Sequence, residues 1–332
     1  MASGKKTVIV ALIGNTFVGI CKFIAWGFSG SGAMLSEAIH SVADVSNQAL
    51  LLLGIQRSEA EASRRFRYGF AAERYFWALI SAVGIFFLGC GVTVYHGIHV
   101  IMDGHEAHPG IADYSILSIA FLVEGWTLWV AVKGINHDRK DTPFFEFLSK
   151  SADPTPIAVL LEDFVACLGA LVALAGILLS EYFHSAWPDG IASITIGVML
   201  GFVAVFLVYK NHALIVGTSV DHEIENAVVD YLKGRSTVER IFDVKSRVLS
   251  AENYRLKMEI EFEGAVLAER VIETLDLKEI HERVKDDPEA LKAFLMEFGD
   301  KVVDELGDEV DRIEEEIREQ VPEAQHIDIE AD

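Results

Sequence analysis

Six long apolar stretches constrain the fold of this chain more than any other feature. Each has about 20 residues or more, the length that a helix needs to cross about 30 Å of hydrocarbon. The chain has 332 residues, 51% of them hydrophobic, and a mean hydropathy of +0.31, which is typical of a membrane protein. We predict six membrane-spanning helices, at about residues 8–28, 34–56, 74–102, 114–135, 156–180 and 188–209.

Basic residues lie in alternate loops between these segments. Five arginines separate segments two and three, and Lys133, Arg139, Lys140 and Lys150 separate segments four and five. The other three loops contain no Lys or Arg. Because positive residues stay on the cytoplasmic side of a membrane, we expect both termini in the cytoplasm. The first apolar segment has no cleavage site of the signal-peptide type, so we expect it to be retained as a span. We expect a multi-pass protein of the cell (inner) membrane.

The chain changes character after residue 210. Residues 211–332 hold 33 acidic and 15 basic residues, which supply most of the net charge of −22 and disfavour nucleic acid as a partner. A helical segment, two alternating strand-like segments, a helical stretch over roughly 266–319 and a last short strand follow in order. We predict a transport domain over 1–210 and a cytoplasmic ferredoxin-like α+β domain over 211–332. We expect breaks in the helical stretch near DDPEA and FGDKV.

Polar residues interrupt the second apolar segment, in the sequence SEAIHSVADVSNQ at residues 36–48. Their spacing of 3, 4, 3 and 1 places them on one face of a helix. A charged group in the bilayer centre is costly, so such residues usually face the interior of a bundle and mark an ion path. A structural hydrogen-bond network between helices is the alternative. The five residues of this stripe are Glu37, His40, Asp44, Asn47 and Gln48.

Two members of the stripe have the chemistry of metal ligands. His40 and Asp44 stand four residues apart, so an imidazole nitrogen and a carboxylate oxygen can reach the same point. These are donors that a divalent transition metal accepts, zinc most naturally. The spacing alone is weak evidence, since it also occurs by chance in many helices.

The fifth apolar segment carries two adjacent acids, Glu162 and Asp163. Neighbouring residues point about 100° apart on a helix, so both belong to one site only if several helices surround it. Asp163 is the first choice as a ligand because Cys167 follows one turn later on its face. Cys167 itself fits a packing role better than a ligand role, and the three cysteines have no CxxC-like spacing.

Two further ionisable residues, Lys22 and Glu124, lie inside predicted spans. An ion pair of Lys22 with Glu124 or with Glu37 would lower the cost of inserting both groups. A role of Glu124 in proton relay is the alternative.

These motifs together resemble the cation diffusion facilitator family. The resemblance rests on HSVAD in segment two, an acid in segment five, PDGIASITIGVML opening segment six, and the cytoplasmic domain. Longer stretches, such as MLSEAIHSVADVSNQALLLLGI and VLLEDFVACLG, are most similar to the branch that contains the mitochondrial zinc transporter.

The resemblance implies a homodimeric exporter that exchanges a divalent metal for protons, with no cofactor besides the metal it carries. By position, the implied ligands are His40, Asp44 and Asp163. Zinc-transporting members usually have a histidine four residues before the helix-five aspartate, where this chain has Val159. Glu162, Asn47 or water are the candidates for a fourth ligand, and an oxygen-rich site would suit manganese or another harder ion.

Functions of another class are compatible with the same residues. A membrane-embedded zinc hydrolase would also bury His and carboxylate ligands, but it usually needs two or three histidines. In the membrane region only His40 lies at core depth, so we do not expect an enzyme. A metal sensor is the third possibility, and a flux assay separates it from a carrier.

Overall fold

The computed structural model describes residues 2–29, 32–104, 111–139, 142–151, 153–250 and 253–332. Within these ranges it describes the side chains except those of residues 2–7, 26, 28–29, 32–37, 39–40, 112–113 and 149–150. The chain divides into two compact units, Met1–Val216 and Gly217–Asp332.

The first unit is built entirely of helices in its described part. Five of its eight α-helices are long, with 27 to 30 residues each. The other three are the short α6 and the two halves of one long segment, α3 and α4, which are joined by a π-helical turn at Ile85–Gly91. The α-helices are α1 Ala2–Ser29, α2 Gly32–Ser58, α3 Glu73–Gly84, α4 Val92–Asp103, α5 Ile111–Asp138, α6 Phe144–Lys150, α7 Pro154–Phe183 and α8 Trp187–Val216.

Five segments of the described chain are long and apolar enough to cross a membrane, one fewer than the six predicted. The second predicted span coincides with α2, a helix of 27 residues whose polar stripe lowers its mean hydropathy. The coarser prediction of a multi-pass helical membrane protein is therefore confirmed, and a sixth span remains a prediction. The five segments are Val8–Ala25, Glu73–Asp103, Tyr114–Asp138, Pro154–Phe183 and Trp187–Val216.

Helix α7 occupies the centre of this unit. It packs against α5 and α8, and it also contacts α1, α2 and α3. Its first half is buried almost all round, with Ile157, Val159 and Leu160 in the apolar core. Side chains that point in several different directions from this half of α7 therefore face other helices, although Phe164 is exposed.

The sequence defines the start of α7 clearly. Asp153 is the N-cap and accepts a hydrogen bond from the backbone N–H of Thr155 at 3.0 Å, and Pro154 occupies the first helical position. The same carboxylate forms an ion pair with Arg74, at the start of α3, at 2.8 Å. Asp153 thus fixes both the beginning of α7 and its attachment to α3.

Helices α4 and α8 approach each other through glycines. A Cβ atom on Gly97 would lie 2.7 Å from the carbonyl oxygen of Gly190, and one on Gly190 would lie 2.8 Å from that of Gly97. Small residues allow such close contact between helices in a membrane, where packing replaces the hydrophobic effect as the driving force.

The second unit is a small sheet covered by helices. Its elements are α9 His222–Lys233, β1 Val238–Ser250, β2 Asn253–Phe262, α10 Gly264–Glu273, α11 Leu277–Val284, α12 Pro288–Gln320 and β3 His326–Ala331. The strand order is β1-β2-β3, with β1 and β2 antiparallel and β2 and β3 parallel. Alternate residues of β2, Leu256, Met258 and Ile260, are buried with Ile313 and Ile317 of α12.

The helical stretch between β2 and β3 differs in part from the prediction. The chain does break near DDPEA, where Asp287 caps α12 with a hydrogen bond from the N–H of Glu289 at 2.9 Å. The predicted break at FGDKV is wrong, because α12 continues through it to Gln320. A single glycine in a helix costs about 1 kcal/mol, which the good helix formers on either side of Gly299 outweigh.

A fully buried carboxylate, that of Glu309 on α12, organises the polar contacts of this unit. Its Oε1 accepts hydrogen bonds from Thr237 at 2.6 Å and from Arg235 at 2.9 Å, and its Oε2 accepts one from Arg270 at 2.7 Å. Burial alone would raise the pKa of Glu309, but these hydrogen bonds and the nearby positive charges lower it to about 2. Glu309 is therefore ionised and serves the fold.

Candidate metal-binding site between helices

The polar stripe of α2 faces the inside of the bundle where its side chains are described. Asp44, Asn47 and Gln48 are buried, as is Ser41 on the same face, whereas Val42 on the opposite face is exposed. The Glu37 and His40 side chains lie outside the described part of the chain, although the backbone of both belongs to α2. The stripe is thus an interior face of α2 at Asp44, Asn47 and Gln48.

Both acids of α7 are buried as well. Glu162 is 4% exposed and Asp163 is 1% exposed. Their side chains diverge, but the surrounding helices cover both, which is the condition that adjacent acids must meet to share one site. Asp44 of α2 lies within electrostatic reach of both carboxylates. Three carboxylates from two helices therefore lie in one region of the bundle.

Several polar atoms in this region have no hydrogen-bond partner among the described residues. They are both carboxylate oxygens of Glu162, Oδ2 of Asp163, Nδ2 of Asn47, and both amide atoms of Gln48. Each such atom in an apolar interior costs free energy unless a ligand, an ion or water satisfies it. Within the described residues the cluster is therefore not a closed hydrogen-bond network.

Ser81 of α3 is a member of this region that the sequence did not single out. Its hydroxyl donates a hydrogen bond to Oδ1 of Asn47, and Ser81 is 1% exposed. Because Oδ1 of Asn47 accepts this hydrogen bond, its Nδ2 is the group that can donate to Glu162, which lies close by. A single serine in the apolar sequence WALISAVG is a weak signal, so only the fold reveals this contact.

The structure describes the side chains of some predicted ligands but not that of His40. The described side chains contain no group of three His, Cys, Asp or Glu residues at distances that could hold a metal ion, and the His40 side chain lies outside them. Val159 is fully buried in the apolar core, and Cys167 is partly exposed. The ligand set His40, Asp44 and Asp163, with Glu162 and Asn47, therefore remains a prediction.

An ion pair between α1 and α5 adjoins the cluster. Nζ of Lys22 lies 3.2 Å from Oε1 of Glu124, with side chains 1% and 5% exposed. Of the two partners predicted for Lys22, Glu124 is thus confirmed, and Glu37 lies outside the described side chains. Glu124 in turn lies within electrostatic reach of Asp163 and Cys167.

The chemistry available in this region is that of a cation site. Carboxylates repel one another when they are ionised and close together, and a divalent cation removes that repulsion. Carboxylate and amide oxygens, with one imidazole, are donors for zinc and for harder divalent ions.

Comparisons with known proteins agree with this chemistry. The model of the cation efflux transmembrane domain matches residues 8–216. The chain is 36% identical, over 98% of its length, to 58% of a mouse protein named proton-coupled zinc antiporter SLC30A9, mitochondrial. It is 34% identical, over 98% of its length, to 73% of metal tolerance protein C4 of Arabidopsis thaliana.

A more distant bacterial relative adds a further name. The chain is 22% identical, over 60% of its length, to 58% of a cadmium, cobalt and zinc/H(+)-K(+) antiporter of Bacillus velezensis. The chain spans somewhat more than half the length of the mouse relative. The names of these three proteins describe transport or tolerance of metals, and none describes an enzyme.

Proposed function

Because the chain belongs to the cation efflux family, which is the cation diffusion facilitator family, we propose that it exports a divalent metal cation in exchange for protons. Zinc is the proposed cargo, since the mouse relative is named a zinc antiporter. The observation that most directly supports the proposal is the buried cluster of Asp44, Glu162 and Asp163, whose polar atoms include several without partners among the described residues. Because the family consists of transporters, it does not support the alternative of a zinc hydrolase.

The proposed ligands are His40 and Asp44 of α2 and Asp163 of α7. Glu162 and Asn47 are the proposed sources of a fourth ligand. In this arrangement the cation is bound between helices rather than along one of them, so a movement of α2 against α7 alters its coordination. The charge of the metal offsets the repulsion among the carboxylates.

Exchange with protons follows from competition for the same ligands. Metal binding needs a neutral histidine and ionised carboxylates, so the affinity for metal falls as the pH falls. A carrier that alternates between two openings, by rocking one group of helices against another, would take up metal on the cytoplasmic side and lose it to protons on the other side. This exchange of metal for protons neither forms nor breaks a covalent bond in the protein other than those to the exchanged protons.

The residue at position 159 bears on the metal preference of the proposed site. Val159 stands where zinc-transporting members usually have histidine, and the described ligands nearby all offer oxygen or amide groups. Manganese or another divalent cation is therefore the second candidate cargo. Uptake of zinc, manganese, cobalt and cadmium by proteoliposomes, compared at two pH values, distinguishes them. We expect Val159→His to shift the zinc-to-manganese ratio toward zinc.

We propose that α2 crosses the membrane in addition to the five segments named above, which makes six spans. We also propose that the second unit is ferredoxin-like, and that the protein is a homodimer with both termini in the cytoplasm. The basic loops support this orientation. We propose the cell (inner) membrane as its location, whereas the name of the mouse relative includes the word mitochondrial.

The decisive experiment measures zinc flux through purified protein in proteoliposomes with an imposed pH gradient. We expect the variants Asp163→Asn and His40→Ala/Asp44→Ala to reduce the rate by at least about tenfold, because each removes proposed ligands. Glu181→Gln is the matched control, since Glu181 is an exposed acid on α7 about 27 Å along the helix from Asp163. Transport at the full rate by the double variant would overturn the proposal.

A further inference from the structure

The ion pair of Lys22 and Glu124 lies next to the proposed cation site but supplies none of its proposed ligands. Lys22 is 1% exposed and belongs to α1, and Glu124 is 3% exposed and belongs to α5. A buried ion pair is expensive to insert into a membrane and seldom adds stability over apolar residues of similar size. Its position beside the acidic cluster therefore needs a reason other than stability.

The packing of α1, α5 and α7 brings this pair to the cluster. Helix α5 packs between α1 and α7. One turn beyond Glu124, Thr127 is buried and donates a hydrogen bond to the Glu124 carbonyl oxygen at 2.8 Å. Thr127 also lies beside Asp163, and the methyl group of Thr127 packs where α1 has the small residue Gly14. The Glu124 carboxylate thus lies within electrostatic reach of Asp163.

The formal charges of the described side chains in this region do not balance. The interacting side chains described here are four carboxylates, those of Asp44, Glu124, Glu162 and Asp163, and one ammonium, that of Lys22. With all of them ionised, three negative charges are left over, and one divalent cation reduces the excess to one. Without Lys22 the same cation would leave an excess of two.

We propose that Lys22 is a built-in cation that sets the charge of the proposed site, so that the site holds one divalent metal ion and still releases it. The ammonium neutralises Glu124, which keeps that carboxylate from acting as an additional metal ligand beside Asp163. Lys22 and Glu124 are thus positioning residues that determine metal affinity and stoichiometry without touching the metal. The inference rests on the proposed function, since it assumes a cation at Asp44 and Asp163.

The test compares charge variants by the dissociation constant and stoichiometry of zinc binding, measured calorimetrically on the full chain in detergent at one pH. We expect Lys22→Met to bind zinc about tenfold more tightly or to bind a second ion, because the charge of Glu124 near Asp163 is no longer offset by that of Lys22. Glu124→Gln should bind zinc about tenfold more weakly, because the charge of the Lys22 ammonium is no longer offset by that of Glu124 and repels the metal. The double variant Lys22→Met/Glu124→Gln should return close to the dissociation constant of the unaltered protein.

Two controls separate charge from structure. Lys22→Arg keeps the charge and should keep the zinc affinity. Arg74→Gln breaks the ion pair with Asp153, which lies ten residues and about 15 Å along α7 from Asp163, and should lower the melting temperature without changing zinc affinity. If a single variant does not fold, the double variant and Lys22→Arg still provide the comparison.

The outcomes distinguish this inference from the proposed function. Single variants that lower only the melting temperature, with zinc dissociation constants within twofold of the original, would show a purely structural pair and overturn the inference. A double variant no closer to the original than the single variants would also overturn it. Failure of the unaltered protein to bind zinc or any other divalent metal would instead contradict the proposed function.

Discussion

Single buried charges are found in both units, and their surroundings decide what they do. Glu309 is matched by Thr237 and by three arginines, Arg235, Arg270 and Arg312, whose hydrogen bonds reach both of its oxygens. Glu162 has neither oxygen satisfied within the described part of the chain. The same chemical group is thus fully hydrogen-bonded in one unit and lacks a described hydrogen-bond partner in the other.

At Glu309 we expect the substitution Glu309→Gln to destabilise the second unit by roughly 3 kcal/mol, because the buried side chain loses its charge-assisted hydrogen bonds to Arg235 and Arg270, which are 16% and 34% exposed. Hydrogen exchange of the β2 amides in the full chain measures this effect. Glu316→Gln is the matched control, since Glu316 also pairs with Arg235 but its side chain is 40% exposed. An equal effect of both substitutions would contradict the special role of the buried group.

The pKa of Glu309 also predicts how the stability of this unit depends on pH. The folded-state pKa of about 2 lies below the ordinary glutamate value of 4.5, so the group favours folding while it is ionised. Its contribution is complete above pH about 4.5 and is lost as the pH falls from there toward about 2. An acid titration of β2 amide exchange should show this loss, and Glu309→Gln should remove that part of the pH dependence.

The close packing of α4 against α8 requires residues without side chains at positions 97 and 190. We expect Gly97→Leu to destabilise the first unit by about 2 kcal/mol or more, because its side chain would meet the backbone of Gly190. Gly125→Leu on α5 is the matched control, since no atom lies within 4 Å of the added Cβ. Melting temperatures in detergent measure both, and equal losses would argue against tight packing of α4 on α8.

Patterns along single elements predicted that the polar side chains of α2 and α7 face the interior of the bundle, which holds for those that are described. The stripe on α2 and the acids of α7 follow from helical periodicity, and the pairing of Lys22 follows from the cost of a lone charge in a membrane. The contact of Ser81 with Asn47 depends on how α3 packs against α2, which no single segment specifies. The break predicted near FGDKV is absent, because the good helix formers on either side of Gly299 outweigh the cost of one glycine.

For the whole molecule, we predict that removal of residues 217–332 abolishes or weakens the proposed homodimer. A separate compact unit with its own sheet is suited to holding two copies together independently of the transport helices. Light scattering coupled to size-exclusion chromatography, with full-length and truncated protein in the same detergent, measures the mass. An unchanged dimer after truncation would place the contact within residues 1–216.

The division at Val216 also separates the optical signals of the molecule. All five tryptophans, at positions 26, 77, 126, 129 and 187, belong to the first unit, whereas the second contains the tyrosines Tyr231 and Tyr254 and no tryptophan. Intrinsic fluorescence excited at the red edge of the tryptophan band therefore reports on the transport helices alone. A spectral change on addition of metal would originate in that unit, without a label or an engineered chromophore.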